Sequence, residues 1–313
     1  NIRESRGDGI TALAEVRAAR ALPMERVMAA RLTQTHVRLL VRAGEFETAA
    51  RVADSLLAAF PEPTERQAGF IIGPAMLTGR MERAVQLMEL LSGSPARQVR
   101  TRNGGVLAVP PAMLRERAAF TIWAALGVCN DEVRAGPAKL SRMLDALFPN
   151  GTAPAGVEQA FIERPMLLAS PCLGPEGFSV LRAREHPLAM GIAATSPGER
   201  AQVIERIQSM QSRRGPAFEN SETVLAEAQL YLLAGDSTGA RTALSRMLDA
   251  LPVLSSSFVN GELGAGSLAR VMALRAELAA AEGDSTMARE LAEGVVALWT
   301  HADPELQPLV ARM

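Results

Sequence analysis

Aromatic side chains are scarce in this chain of 313 residues: nine Phe, two Trp and one Tyr, 4% in all. Nucleic-acid binders stack bases on such rings and displace counterions with a basic surface. The formal net charge here is −1, so neither requirement is met and nucleic acid is excluded as the main partner. Of the 33 basic residues only Lys139 is a lysine. The arginines fall on every kind of surface, which reads as codon bias.

Histidine is reduced to His36, His186 and His301, far apart and in no metal-ligand spacing. The two cysteines, Cys129 and Cys172, form no metal motif. Their default reading is buried free thiols, with a disulfide left open if the chain is exported. Long hydrophobic runs are missing too. The uncharged stretch from Ala118 to Asn130 is too short to cross a bilayer, so no membrane span is expected. Gly261, Gly264 and Gly266 form a glycine-rich stretch behind no strand pattern, so a phosphate cradle is not expected there. The acids alternate with arginine, as in Glu199-Arg200 and Glu205-Arg206. Such alternation marks a solvated face; paired catalytic carboxylates would converge in a cleft. No enzyme, no cofactor and no metal are expected. The chain opens on Asn1, as a processed product or excised piece would, so the compartment cannot be read; the Ala- and Arg-rich composition suggests a bacterial source.

What the chain has is alanine, leucine and a repeated punctuation. Gly44 is followed by Ala49 and Pro61, and Gly79 by Ala84 and Pro95. The tetrapeptide Gly235-Asp236-Ser237-Thr238 leads to Ala240 and Pro252, and Gly283-Asp284-Ser285-Thr286 to Ala288 and Pro304. Each glycine suits the left-handed residue that ends a helix. Each alanine lets two helices approach closely, and each proline stops the second helix. Helices are expected at 32–43 with 46–60, in a second pair at 66–95, and looser at 112–149 with Asn130-Asp131 as turn and N-cap. Further pairs are expected at 221–234 with 238–251 and at 267–282 with 285–299. Positions 11–33 carry a helical pattern broken at Pro23, and 199–212 another helix. Six prolines punctuate 150–198, and 253–266 reads as a Ser/Gly insertion. No strand alternation is sustained. The expected organisation is N-terminal helical repeats over 1–149, an irregular Pro-rich segment over 150–198 and C-terminal repeats over 199–313.

With that signature at 35-residue spacing, the chain resembles the tetratricopeptide repeat family. The resemblance covers about 32–95 and 221–304 well and 112–149 loosely, where Trp123, Leu126 and Gly127 match but the alanine falls at Ala138, one residue off. It implies an all-α superhelical solenoid and a non-catalytic scaffold or sensor that binds protein or peptide. The stretch from Arg270 to Asp284, with Leu298-Trp299 and Ala302 to Pro308, resembles tetratricopeptide regions that follow the kinase domain in bacterial serine/threonine protein kinases. That implies an alternative: the regulatory segment of a membrane kinase whose catalytic domain lies outside this chain, because no glycine-rich phosphate loop, His-Arg-Asp or Asp-Phe-Gly is present. A third reading, a hydrolase or lyase on a helical toroid, would centre on Glu185 and His186.

One constellation points to a ligand. Arg31, Gln34, Arg38 and Arg42 recur at spacings of 3, 4 and 4 along one helix face. On the first helix of a pair they would line an inner groove and grip an acidic segment or a terminal carboxylate. Arg66, with Arg115 and Arg117, would extend the stripe. Weighed against it is an ordinary solvated arginine face. The C-terminal counterpart is mixed in sign: Glu222, Glu227, Arg270, Arg275 and Glu277. Trp299 and Trp123 read as packing residues.

Overall fold

The structure is a computed structural model, and it describes residues 9–43, 45–59, 65–92, 98–100, 106–149, 164–173, 175–182, 187–194, 196–214, 221–250 and 262–313. Helical hairpins carry the architecture. In chain order they are α1 (Gly9–Arg20), α2 (Arg26–Arg42), α3 (Phe46–Ala59), α4 (Glu65–Leu77), α5 (Met81–Ser92), α6 (Pro111–Leu126) and α7 (Asp131–Leu147). Short helices follow, α8 (Arg164–Ala169), α9 (Pro175–Arg182) and α10 (Pro187–Ile192), then α11 (Pro197–Arg214). Two pairs complete the array: α12 (Ser221–Leu233) with α13 (Ser237–Ala250), and α14 (Glu262–Ala281) with α15 (Ser285–Trp299). A 3-10 turn (Pro304–Leu306) and α16 (Gln307–Val310) end the chain.

Local chemistry explains the hairpins. Gly79, Gly235 and Gly283 have φ of 69°, 78° and 83°, the left-handed region that glycine enters without a Cβ penalty. Gly127 joins them at 80° and closes α6. Gly44, expected in the same role, lies outside the described residues. Asn130 accepts from the Val133 amide at 2.9 Å and Asp284 from Met287 at 3.1 Å, so both cap the following helix. Ser196 and Glu199 exchange side-chain bonds to each other's amides, a reciprocal cap at the start of α11. Ala49, Ala84 and Ala240 are fully buried where paired helices touch.

Four expectations need correction. α2 is one continuous helix from Arg26, so the pattern read as ending at 33 and restarting at 32 belongs to a single element. α14 begins at Glu262, which puts the supposed Ser/Gly insertion partly inside a helix of 20 residues. Glycine is tolerated there because a Cβ on Gly266 would stand 3.0 Å from that of Ala125 and closer still to Met76; its absence lets α14 press against α4 and α6. A two-stranded antiparallel ribbon pairs Gln98–Arg100 with Val106–Ala108 where no sheet was expected. Cys129 and Cys172 are bonded, with Cα atoms 5.0 Å apart, because the α6–α7 turn lies beside the 3-10 turn (Ser170–Cys172) after α8.

The largest departure concerns long-range packing. In a repeat array each unit touches only its neighbours. Here α14 packs against α4 and α6 as well as α12 and α13, and α8 packs against α6 and α12. The main core therefore runs from Ala30 to Leu306, while Ala12, Leu13, Val16, Val37, Leu40 and Ala49 form a smaller core under α1–α3. Trp299, fully buried, donates from Nε1 to the Leu77 carbonyl at 3.1 Å. The Asp303 amide donates to the Gly79 carbonyl at 3.0 Å, and its carboxylate accepts from the Glu82 amide at 2.8 Å. The last helical pair is bolted onto the turn between α4 and α5.

Candidate functional site

Helix α2 carries the stripe singled out above. At 100° per residue, Val27, Arg31, Gln34, Arg38 and Arg42 fall on one side of it. Val27 and Arg31 are exposed, and Gln34 and Arg38 half-buried. The opposite side, Ala30, Thr33, His36, Val37 and Leu40, is buried against α1 and α3. Arg31, Gln34 and Arg38 thus share one side of α2, with Arg31 in the open and the Nε of Arg38 buried. Arg42 closes α2 and Arg66 lies in the first turn of α4, with side chains outside the described set. Arg115 is exposed and Arg117 half-buried at the start of α6.

Under the stripe lies an electrostatic cluster that sequence spacing did not show. Arg20 Nη1 donates to His36 Nδ1 at 2.6 Å, which leaves the proton of the neutral imidazole on Nε2. His36 is only 6% exposed. Burial first, then the charges of Arg20 and Arg17, lower its pKa to about 4, with Glu45 acting the other way. Arg17 in turn reaches both carboxylate oxygens of Glu45, at 2.9 and 2.7 Å. Arg20 thereby ties α1 to α2 and Arg17 ties α1 to the α2–α3 turn, so these charges belong to the scaffold.

Of the mixed-sign C-terminal residues, Glu227, Arg270 and Arg275 are buried in the packing, while Glu277 lines an open groove. Arg270 donates from Nη1 to the carbonyls of Ala124 at 2.6 Å and Leu168 at 3.2 Å. It thus satisfies the open ends of α6 and α8, where carbonyls lack helical partners. Burial lowers its pKa to about 10, so it stays charged at neutral pH. Gly127 makes room, since a Cβ there would lie 2.7 Å from Arg270 Nε. Glu227, 2% exposed, pairs with Arg246 at 2.8 Å, and Arg275, 5% exposed, donates to Ser245 Oγ at 3.0 Å. These side chains join α12, α13 and α14. Reversing Arg270 or Arg275 is therefore expected to disturb the packing of α14 against its neighbours.

A groove of about 600 Å³ runs along α14 and α15, floored by Ala276, Ala280, Ala288 and Ala292 and edged by Arg289 and Glu293. Ala288, expected at a tight helix contact, is half-buried and lines this open groove. His301 is exposed, and Glu185 and His186 lie outside the described residues. No group of three His, Cys, Asp or Glu is placed to hold a metal ion, and no helix is long and apolar enough to cross a membrane, among the described residues. No family model and no curated protein matches this chain.

Proposed function

We propose that this chain is a non-catalytic scaffold or sensor of tetratricopeptide type that binds a protein or peptide through the Arg31, Gln34, Arg38 and Arg42 face of α2, with Arg66 extending it. The observation that carries the reading is that Arg31, Gln34 and Arg38 share the side of α2 that includes exposed Arg31, while Thr33, His36 and Leu40 are buried on the other side. Guanidinium groups spaced by a helical turn offer bidentate contacts to carboxylates. The packing of α14 on α4 and α6 favours a ligand at the N-terminal edge over one in a groove running the length of the array.

A second reading has a specific observation in its favour. The Cys129–Cys172 bond suits an oxidising compartment, which fits the extracytoplasmic sensor arm of a bacterial membrane kinase. On that reading the same α2 face senses the ligand, and the kinase domain lies in a longer protein.

The test uses the whole chain and its Arg38→Glu/Arg42→Glu variant as paired baits in an extract of the source organism, followed by titration of the captured protein. Loss of binding by on the order of 2 kcal/mol is expected, since repulsion replaces attraction at partly exposed pairs. Equal affinity would return the stripe to a solvated face.

A further inference from the structure

The last long helix leaves one side uncovered. On α15, Ser285, Thr286, Arg289, Glu293, Val296 and Ala297 are all exposed. At about 100° per residue these six fall within a single face roughly 120° wide. On the other side of the helix Val295, Leu298 and Trp299 are buried. Beside the exposed face, Ala280, Ala288 and Ala292 floor the open groove between α14 and α15. Four of the six side chains are short, so a second helix can approach closely. The two long ones, Arg289 and Glu293, sit at the centre one turn apart, and neither has an ion-pair partner among the described residues. The groove's other bank holds Glu277 with Arg312 at 3.7 Å. Two cations and two anions sum to zero, so no ligand of a single sign is favoured.

We propose that this face joins two copies of the chain about a two-fold axis that sets α15 antiparallel to itself. A two-fold contact needs a surface that complements its own copy, and the order of residues on α15 meets that condition. With the axis midway between Arg289 and Glu293, residues equally far from that point stand opposite each other. Arg289 then faces Glu293 of the second copy, Thr286 faces its Val296 and Ser285 faces its Ala297. Each pairing occurs twice, charge against opposite charge and short side chain against short side chain. A parallel pair in register would set Arg289 on Arg289 and Glu293 on Glu293, which repel. An unrelated helix would have to bring matching charges, whereas this face supplies them to itself. One helix of 15 residues a side, roughly 22 Å long, makes an interface at the small end of the specific range, so dissociation on the order of micromolar is expected. No residue of α1 or α2 takes part, so the pairing stands apart from the proposed ligand face.

The experiment is sedimentation velocity on the full chain at low salt, from about 1 to 200 µM, a range that brackets the expected dissociation constant. Wild type should pass from monomer to dimer across it. Arg289→Glu and Glu293→Arg each set like charges across the axis, so each should weaken the dimer at least about tenfold. An equal mixture of those two variants should associate as wild type does, because opposite charges then meet again. The doubly exchanged chain, Arg289→Glu/Glu293→Arg, should recover self-association for the same reason. Both positions are exposed, so thermal melts should show every variant folded. A wild type that stays monomeric throughout overturns the proposal, and so does a dimer that every variant leaves unchanged. Dimers weakened in both single variants, yet restored in neither the mixture nor the double exchange, overturn the antiparallel pairing.

Discussion

Gly79 and Gly283 share a conformation but not an environment. A Cβ on Gly283 would meet open space, whereas one on Gly79 would lie 2.6 Å from the Ala302 Cβ and 2.8 Å from Leu306 Cδ1. Gly283→Ala is therefore expected to cost only the left-handed strain, about 1 kcal/mol. Gly79→Ala adds overpacking against the bolted C-terminal turn and should cost about 3 kcal/mol in total. Urea denaturation of the two variants checks this; equal midpoints would mean that the contact between Gly79 and Ala302 is absent. His36 yields a pH dependence. Its pKa is lowered to about 4 in the fold from 6.5, so the unfolded chain binds the extra proton between those values. The folded state is then fully favoured above about pH 6.5 and loses up to about 3 kcal/mol as pH falls to about 4. His36→Gln should flatten this part of a stability–pH curve. The glycines were legible in sequence because the left-handed cap is a local requirement. The His36 and Arg270 environments were not, since the partners that define them are 16, 102 and 146 residues away.

At the scale of elements, hairpins were legible wherever a 3.6-residue pattern, a cap and a stop agreed, as in α12 with α13. Beginnings were missed where small residues look like loop. The Gly264–Gly266 stretch reads as an insertion until α4 and α6 are seen pressing on it. The ribbon of Gln98–Arg100 and Val106–Ala108 had only a weak signal, an Asn103-Gly104 pair in the sequence between Val99 and Val106. The Pro-rich middle is tied, among its described residues, by the disulfide at Cys172 and by Arg270 on the Leu168 carbonyl. Closing a loop of 43 residues should stabilise the fold by roughly 4 kcal/mol in the chain-entropy account. Thermal melts with and without reductant should therefore differ by several degrees, and Cys129→Ser/Cys172→Ser should match the reduced protein. A melt indifferent to reductant would show that the bond does not form in solution.

For the whole molecule, the question is whether the pairs form an open file or a closed body. The hydrogen bond from Trp299 to Leu77 joins residues 222 positions apart. Trp299→Ala should cost about 3–5 kcal/mol and, more tellingly, should speed amide exchange in α4 and α5 as much as in α15. In an open file only α14 and α15 would loosen. No pattern in the sequence could announce that closure, because the surfaces that meet are each compatible with solvent-facing or neighbour-facing packing.

Function rests on the α2 edge, and one calorimetric titration addresses it most directly. The captured partner is titrated against wild type, Arg38→Glu/Arg42→Glu and, as control, Arg289→Glu, which lies in the groove along α14 and α15. The account predicts about 30-fold weaker binding for the α2 variant, equivalent to roughly 2 kcal/mol, a difference that shrinks in high salt, and wild-type affinity for Arg289→Glu. Wild-type affinity for the α2 variant with loss in Arg289→Glu would contradict it and move the binding site to the other end of the molecule.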